Sequence, residues 1–160
     1  MSREIALRDG LRDADLAWLF HVGVERTIEP GSTLLREGNR TDGIFVVIRG
    51  RFSVRTENFE DDHLAKLGAG ELIGEISFLE GSPASATIVA EQESVVLAVS
   101  HQELKERILQ DLAFAARLYR TFALVAERRL RNRVDSLVFL FELGSSSYSQ
   151  SGVPETLYQT

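Results

Sequence analysis

Between residues 70 and 87 the chain reads GELIGEISFLEGSPASAT, and this segment concentrates the groups best suited to chemistry. Gly74 opens a short helical turn there, and the backbone N–H groups at such a turn point outward as an anion site that needs no side chain. Glu75, at the start of that turn, is placed to accept hydrogen bonds from hydroxyls such as a ribose 2′-OH. Pro83 closes the turn, and Ser85 and Thr87 add donors near the start of the next β-rich run. The same residues also build an ordinary Gly/Pro-rich hairpin loop in which Glu75 caps its own turn.

Other chemistries find little material. Cysteine is absent, which removes disulfides and thiolate metal sites and fits a reducing, cytoplasmic setting. His21, His63 and His101 stand far apart and in no metal-ligand spacing, and the His-x-His pair of a cupin is missing, so no metal is expected. No Gly-x-Ser-x-Gly elbow occurs. Glu71 and Glu75 are one loop's carboxylates rather than a glycosidase pair. No catalytic residue is therefore assigned, and Trp18 reads as core. The net charge of -6 argues against a nucleic-acid binder. The basic stretch Arg117, Arg120, Arg128, Arg129, Arg131, Arg133 reads as a solvated helix face. The charged N-terminus has no apolar core of a secretory signal, and no apolar run approaches the ~20 residues of a membrane span.

The elements that must position the segment follow from periodicity. Asp13 begins a short amphipathic run, so residues 1–21 form an N-terminal helical segment. Residues 22–100 carry short β-rich runs at 24–28, 33–35, 44–48, 52–55, 64–67, 86–90 and 95–99, punctuated by glycines. That rhythm predicts a sandwich, roll or barrel, with a tight reversal at Gly50 and a polar hairpin tip at residues 57–63. Ser100, with Glu103 in capping-box spacing, starts the C-terminal helices over 101–143. Leu112, Ala116, Tyr119, Ala123, Ala126, Leu130, Val134, Leu137 and Phe141 form a heptad-like seam, and Leu118, Phe122 and Val125 widen it. Gly144 is expected to end the helix, leaving residues 144–160 as a flexible tail.

The segment resembles the phosphate-binding cassette of the cyclic-nucleotide-binding domain family, found in catabolite activator proteins and in regulatory subunits of cyclic-AMP-dependent kinase. The resemblance rests on Gly74-Glu75-Ile76-Ser77-Phe78 and Ser85-Ala86-Thr87, and on the turns Glu37-Gly38 and Val47-Ile48-Arg49-Gly50. It covers residues 11–133 in order. It implies a mainly β fold with flanking helices: a double-stranded β-helix (a jelly-roll-like β-roll) between an N-terminal helix and a long C-terminal helix. It also implies a non-enzymatic sensor whose ligand, a cyclic nucleotide or related small phosphate compound, contacts Gly74, Glu75, Ile76, Ser77, Ala84, Ser85, Ala86 and Thr87. Where the family places the arginine that clamps the phosphate, this chain has Ala84. A lost charged hydrogen bond of ~1.5–3 kcal/mol weakens a ligand about ten- to a hundredfold. In the family the long helix folds over the pocket as its lid, so Arg128, Arg129 or Arg131 could supply the cation instead.

The expected partners are a second copy of the chain, a small phosphate-containing ligand and an unidentified protein. No cofactor, no direct DNA contact and no membrane are expected. The alternative function is a ligand-free interaction module of the same fold. The seam yields a direct test: Ala123→Glu with Leu130→Glu places carboxylates in it and should convert a dimer to monomers. Sedimentation showing a well-behaved wild-type monomer at roughly tens of micromolar, a range in which stable interfaces assemble, would remove the expectation.

Overall fold

The computed structural model describes residues 7–57 and 65–148, with side chains as far as residue 131. The elements are α1 (Asp13–Val22), β1 (Val24–Ile28), β2 (Thr33–Leu35), β3 (Gly43–Arg49), β4 (Arg51–Arg55), β5 (Ala65–Gly68), β6 (Leu72–Ile73), α2 (Glu75–Glu80), β7 (Thr87–Ala90), β8 (Ser94–Ser100), α3 (His101–Gln110) and α4 (Leu112–Tyr148). The strands form two four-stranded antiparallel sheets, ordered β1-β8-β3-β6 and β2-β7-β4-β5. This is the mainly β roll with flanking helices that the sequence predicts.

Alternation along β3 and β8 explains both cores. Phe45, Val47 and Val96 point between the sheets, where they pack with Ile28, Phe52, Leu67, Ile73 and Ile88. Their neighbours Ile44, Val46, Leu97 and Val99 point the other way, into a second cluster. That cluster is roofed by Leu19 of α1, Phe78 of α2, Leu104 of α3, and Phe114, Leu118 and Phe122 of α4. A strand buried on both faces reads as a continuous apolar run, which is why β3 is GIFVVI rather than alternating. The two-residue β6, which the sequence pattern does not distinguish from the segment following it, pairs with Phe45 and Val46 of β3.

The β3–β4 reversal at Gly50 is as expected, and its physical reason is specific. Gly50 has φ +112°, and a Cβ there would lie 2.0 Å from the Ser94 hydroxyl oxygen. That hydroxyl, fully buried, accepts from the Arg51 N–H at 3.1 Å and donates to the Gln92 carbonyl at 2.9 Å. The Ser100 hydroxyl accepts from the Glu103 N–H at 3.1 Å, so the predicted N-cap of α3 is present.

One helix end differs from expectation. α4 runs past Gly144 to Tyr148. A helical glycine costs only about 1 kcal/mol relative to alanine, too little to stop a long helix by itself. Residues 149–160, like the hairpin tip with His63, lie outside the described residues. The helix passes from one compact unit, ending at Val125, into a second beginning at Ala126. Within the first unit its two faces contrast. Phe114, Ala115, Leu118, Phe122 and Val125 are buried, whereas Leu112, Ala116 and Ala123 of the seam are exposed and Tyr119 is 44% exposed. Among the described residues no helix is long and apolar enough to cross a membrane.

The N-terminal helix is fastened to α4 by charge. Asp15, 2% exposed, accepts from Arg117 Nε at 2.7 Å and Nη2 at 2.9 Å, and from the Arg12 N–H at 2.9 Å. These contacts, the Arg117 hydrogen bond first, hold the Asp15 carboxyl below its ordinary range against the opposing effect of burial. Asp15→Asn should therefore cost about 1.5–3 kcal/mol, the range for hydrogen bonds to charged groups. The exposed Asp13→Asn should stay within ~0.5 kcal/mol. Urea unfolding of both variants measures the difference; equal midpoints would show that the pair holds nothing.

Candidate functional site: the 74–87 cassette

The segment picked out by residue type folds as a strand end, a turn, a six-residue helix and a loop into β7. Gly74 is the N-cap of α2 at φ +89°, and a Cβ there would approach the Gly43 carbonyl to 3.3 Å. Both the left-handed angle and the close backbone approach call for glycine. Gly81 ends α2 in the same conformation, its N–H donating to the Ser77 carbonyl at 2.9 Å.

The predicted site residues divide by exposure. Glu75 and Ser77 are buried, whereas Ile76 is 36% exposed. Ala84 is buried, Ser85 exposed, and Ala86 and Thr87 half-buried, Ala86 against the inter-sheet core. Glu71 is spent locally, accepting from the Gly68 N–H, and is no partner in a carboxylate dyad. Thr87 Oγ1 accepts from the Glu37 N–H at 3.0 Å, which leaves the hydroxyl proton itself for donation. Ala84 is clipped at both ends of its peptide: its N–H donates to the Asn39 carbonyl at 2.9 Å and its carbonyl accepts from the Gly38 N–H at 2.8 Å. The Glu37-Gly38 turn and the cassette are therefore one assembly.

Arg128, Arg129 and Arg131 belong to the second compact unit, and each has an interaction within the chain. Arg131 pairs with Glu127 one helical turn earlier.

Two residues to which the sequence gives no joining role, Phe78 and His101, connect the cassette to the helices. Phe78, on α2, packs edge-on against His101 at the start of α3 with ring centroids 5.3 Å apart. It also meets Phe122 of α4 at 5.9 Å. His101 in turn donates its backbone N–H to the Asp42 carbonyl at 2.7 Å, next to the loop that holds Ala84. Nothing local marks this set, because its members lie far apart in sequence. Among the described residues no group of His, Cys, Asp and Glu could hold a metal ion.

The cyclic nucleotide-binding domain profile matches residues 25–111, from β1 to the end of α3. The chain belongs to the cyclic nucleotide-binding domain family. Its matches include a cyclic nucleotide-gated potassium channel of Rhizobium etli, 35% identical over 74 residues, 46% of this chain and 20% of the channel. They also include the type II regulatory subunit of cAMP-dependent protein kinase of Drosophila melanogaster, 31% identical over 93 residues, 58% of this chain and 24% of the subunit. Among solved structures, the N-terminal domain of a transcriptional regulator from Streptomyces coelicolor is 32% identical with a TM-score of 0.64, covering 82% of this chain and 91% of that domain. The chain thus spans a fifth to a quarter of those two longer relatives. In this cyclic nucleotide-binding domain position 84 carries alanine.

His101 makes the joint between cassette and helices sensitive to pH. Burial, and then the nearby Lys105 charge, push its pKa below the ordinary 6.5, while Asp42 and a hydrogen bond with the Gly43 backbone oppose. Its buried Nε2 has no hydrogen-bond partner. A depressed native pKa means that the unfolded chain takes up the proton first. The stabilisation is thus full above 6.5 and is lost as pH falls from there through the native value. His101→Phe keeps an aromatic ring against Phe78 and should abolish this step. Unfolding midpoints of both proteins between about pH 7.5 and 5, the imidazole range, check it. Identical pH profiles would refute the assignment.

Proposed function

We propose that this chain is a non-catalytic regulatory module that binds a cyclic nucleotide, or a closely related small phosphate compound, at the 74–87 cassette and signals through its C-terminal helices. The single observation that carries the reading is the Phe78 contact, because the helix that would meet the ligand is the same helix that packs on His101 and Phe122. A ligand drawing α2 inward must move Phe78. The rings packed against it must then follow or lose their contact, since close-packed aromatic clusters do not stretch. Glu75 is the proposed acceptor of the sugar hydroxyl, Gly74 with the N–H groups of Glu75 and Ile76 the proposed phosphate cradle, and Ser85 and Thr87 the proposed hydroxyl donors. The exposed seam residues Leu112, Ala116, Tyr119 and Ala123 of α4 are the proposed contact with a second copy, through which movement would pass between protomers.

A second reading draws on Ala84. Without a guanidinium at that position, and with its peptide held at both ends by Gly38 and Asn39, the cassette also suits a fixed docking surface with no ligand.

Titration calorimetry with cyclic AMP and cyclic GMP tests the first reading against the second. Ala84→Arg should strengthen binding at least about tenfold, equivalent to ~1.4 kcal/mol, and Glu75→Gln should weaken it by a similar factor. Melting temperatures identify any loss that is merely unfolding. Folded Ala84→Arg protein that binds neither nucleotide would overturn the sensor reading and leave the docking module.

A further inference from the structure

A cleft of about 330 Å³ opens on the roll beside the cassette, between β1, β2 and the loop that leads into β3. No residue of the 74–87 segment lines it. Three arginines line it from different elements: Arg26 from β1, Arg36 just after β2, and Arg40 from the loop. Among the described residues none of the three makes an ion pair, although Arg49, Arg51, Arg107, Arg117 and Arg131 all do. The one carboxylate on the lining is Asp42. A net positive cleft on a chain of net charge -6 is set against the field of the whole molecule.

Two further details indicate a ligand rather than a solvated patch. Thr41 Oγ1, at the cleft, is shut off from solvent and has no hydrogen-bond partner. Buried hydroxyls are ordinarily satisfied, so an unused one at a cationic cleft points to a missing acceptor or donor. Arg26 is also fixed in place: its guanidinium carbon lies 5.7 Å from the Phe45 ring centroid, stacked on the cleft's apolar wall with Leu34 and Leu35 beside it.

We propose that this cleft binds the phosphate group of a small organic phosphate monoester, with Arg26, Arg36 and Arg40 as the cationic clamp and Thr41 as a hydroxyl contact. Forked guanidiniums match phosphate oxygens in pairs, and the apolar wall accommodates the organic part. The volume is at the small end of ligand pockets, which fits a nucleoside monophosphate or smaller and excludes a dinucleotide. The clamp loop also connects to the rest of the domain. Its Gly38 and Asn39 hold Ala84, and the Asp42 carbonyl holds the first N–H of α3. Occupancy of the cleft is thereby transmitted to the cassette and to the helices, which makes this a second, regulatory site.

The probes are AMP, pyrophosphate and inorganic phosphate, titrated into the full chain by calorimetry and followed by amide NMR. AMP should bind, more weakly as salt rises. Its largest shifts should fall on Asn39, Thr41, Ala84 and His101. Arg26→Gln with Arg40→Gln, both exposed in the native fold, should weaken AMP by at least about tenfold without lowering the melting temperature. Thr41→Val, which keeps the side-chain volume, should weaken it less. Absence of binding by every probe overturns the proposal. So does AMP binding that survives the arginine substitutions, or binding lost on Glu75→Gln with shifts confined to residues 74–77, which would place the nucleotide in the cassette.

Discussion

The contact on which this molecule turns is Phe78 against His101 and Phe122. Phe78 sits on a helix of six residues, far too short to hold its own shape in water. The helix exists because glycines in left-handed conformation bracket it and because its one buried large apolar side chain is pressed into the cluster under α3 and α4. The cassette is therefore not a loop decorating a finished roll. It is part of the layer that covers the outer face of the first sheet.

That layer answers a problem set by β3 and β8. Both strands carry large apolar side chains on each face, so a roll with one interior would leave Ile44, Val46, Leu97 and Val99 in water. Covering them takes four helices, one before the strands, one between β6 and β7 and two after β8, and the Asp15–Arg117 pair ties the earliest of these helices to the last across 102 positions. Besides fastening these helices, the pair fixes their relative orientation, since a bidentate guanidinium–carboxylate contact tolerates little rotation.

Polar groups around the cassette are arranged with similar economy. Glu71 serves Gly68, Thr87 serves Glu37, and the Ala84 peptide serves the turn at Gly38 and Asn39. Position 84 holds a methyl group, while Arg26, Arg36 and Arg40, none of them in an ion pair among the described residues, line a neighbouring cleft. Cationic character has not vanished from this part of the domain; it stands on a different cleft, joined to the cassette by backbone hydrogen bonds.

Much of this was legible without coordinates. Short β-rich runs punctuated by glycine identified the roll and placed β1 and β2 at their observed limits. Ser100 announced α3, and Gly74 announced the short helical turn of α2. These features are local: a cap, a turn angle or a strand period is decided by residues within a few positions of one another. The pairing of Asp15 with Arg117, the stacking of Phe78 on His101 and the gathering of three arginines around Thr41 were decided only by tertiary structure. Each of these joins residues from separate elements, and no periodicity along one strand or helix records which face of a distant element it will meet. Gly144 makes the same point in reverse. Its local preference is to end a helix, but a cost of about 1 kcal/mol is small enough for the surrounding helix to override.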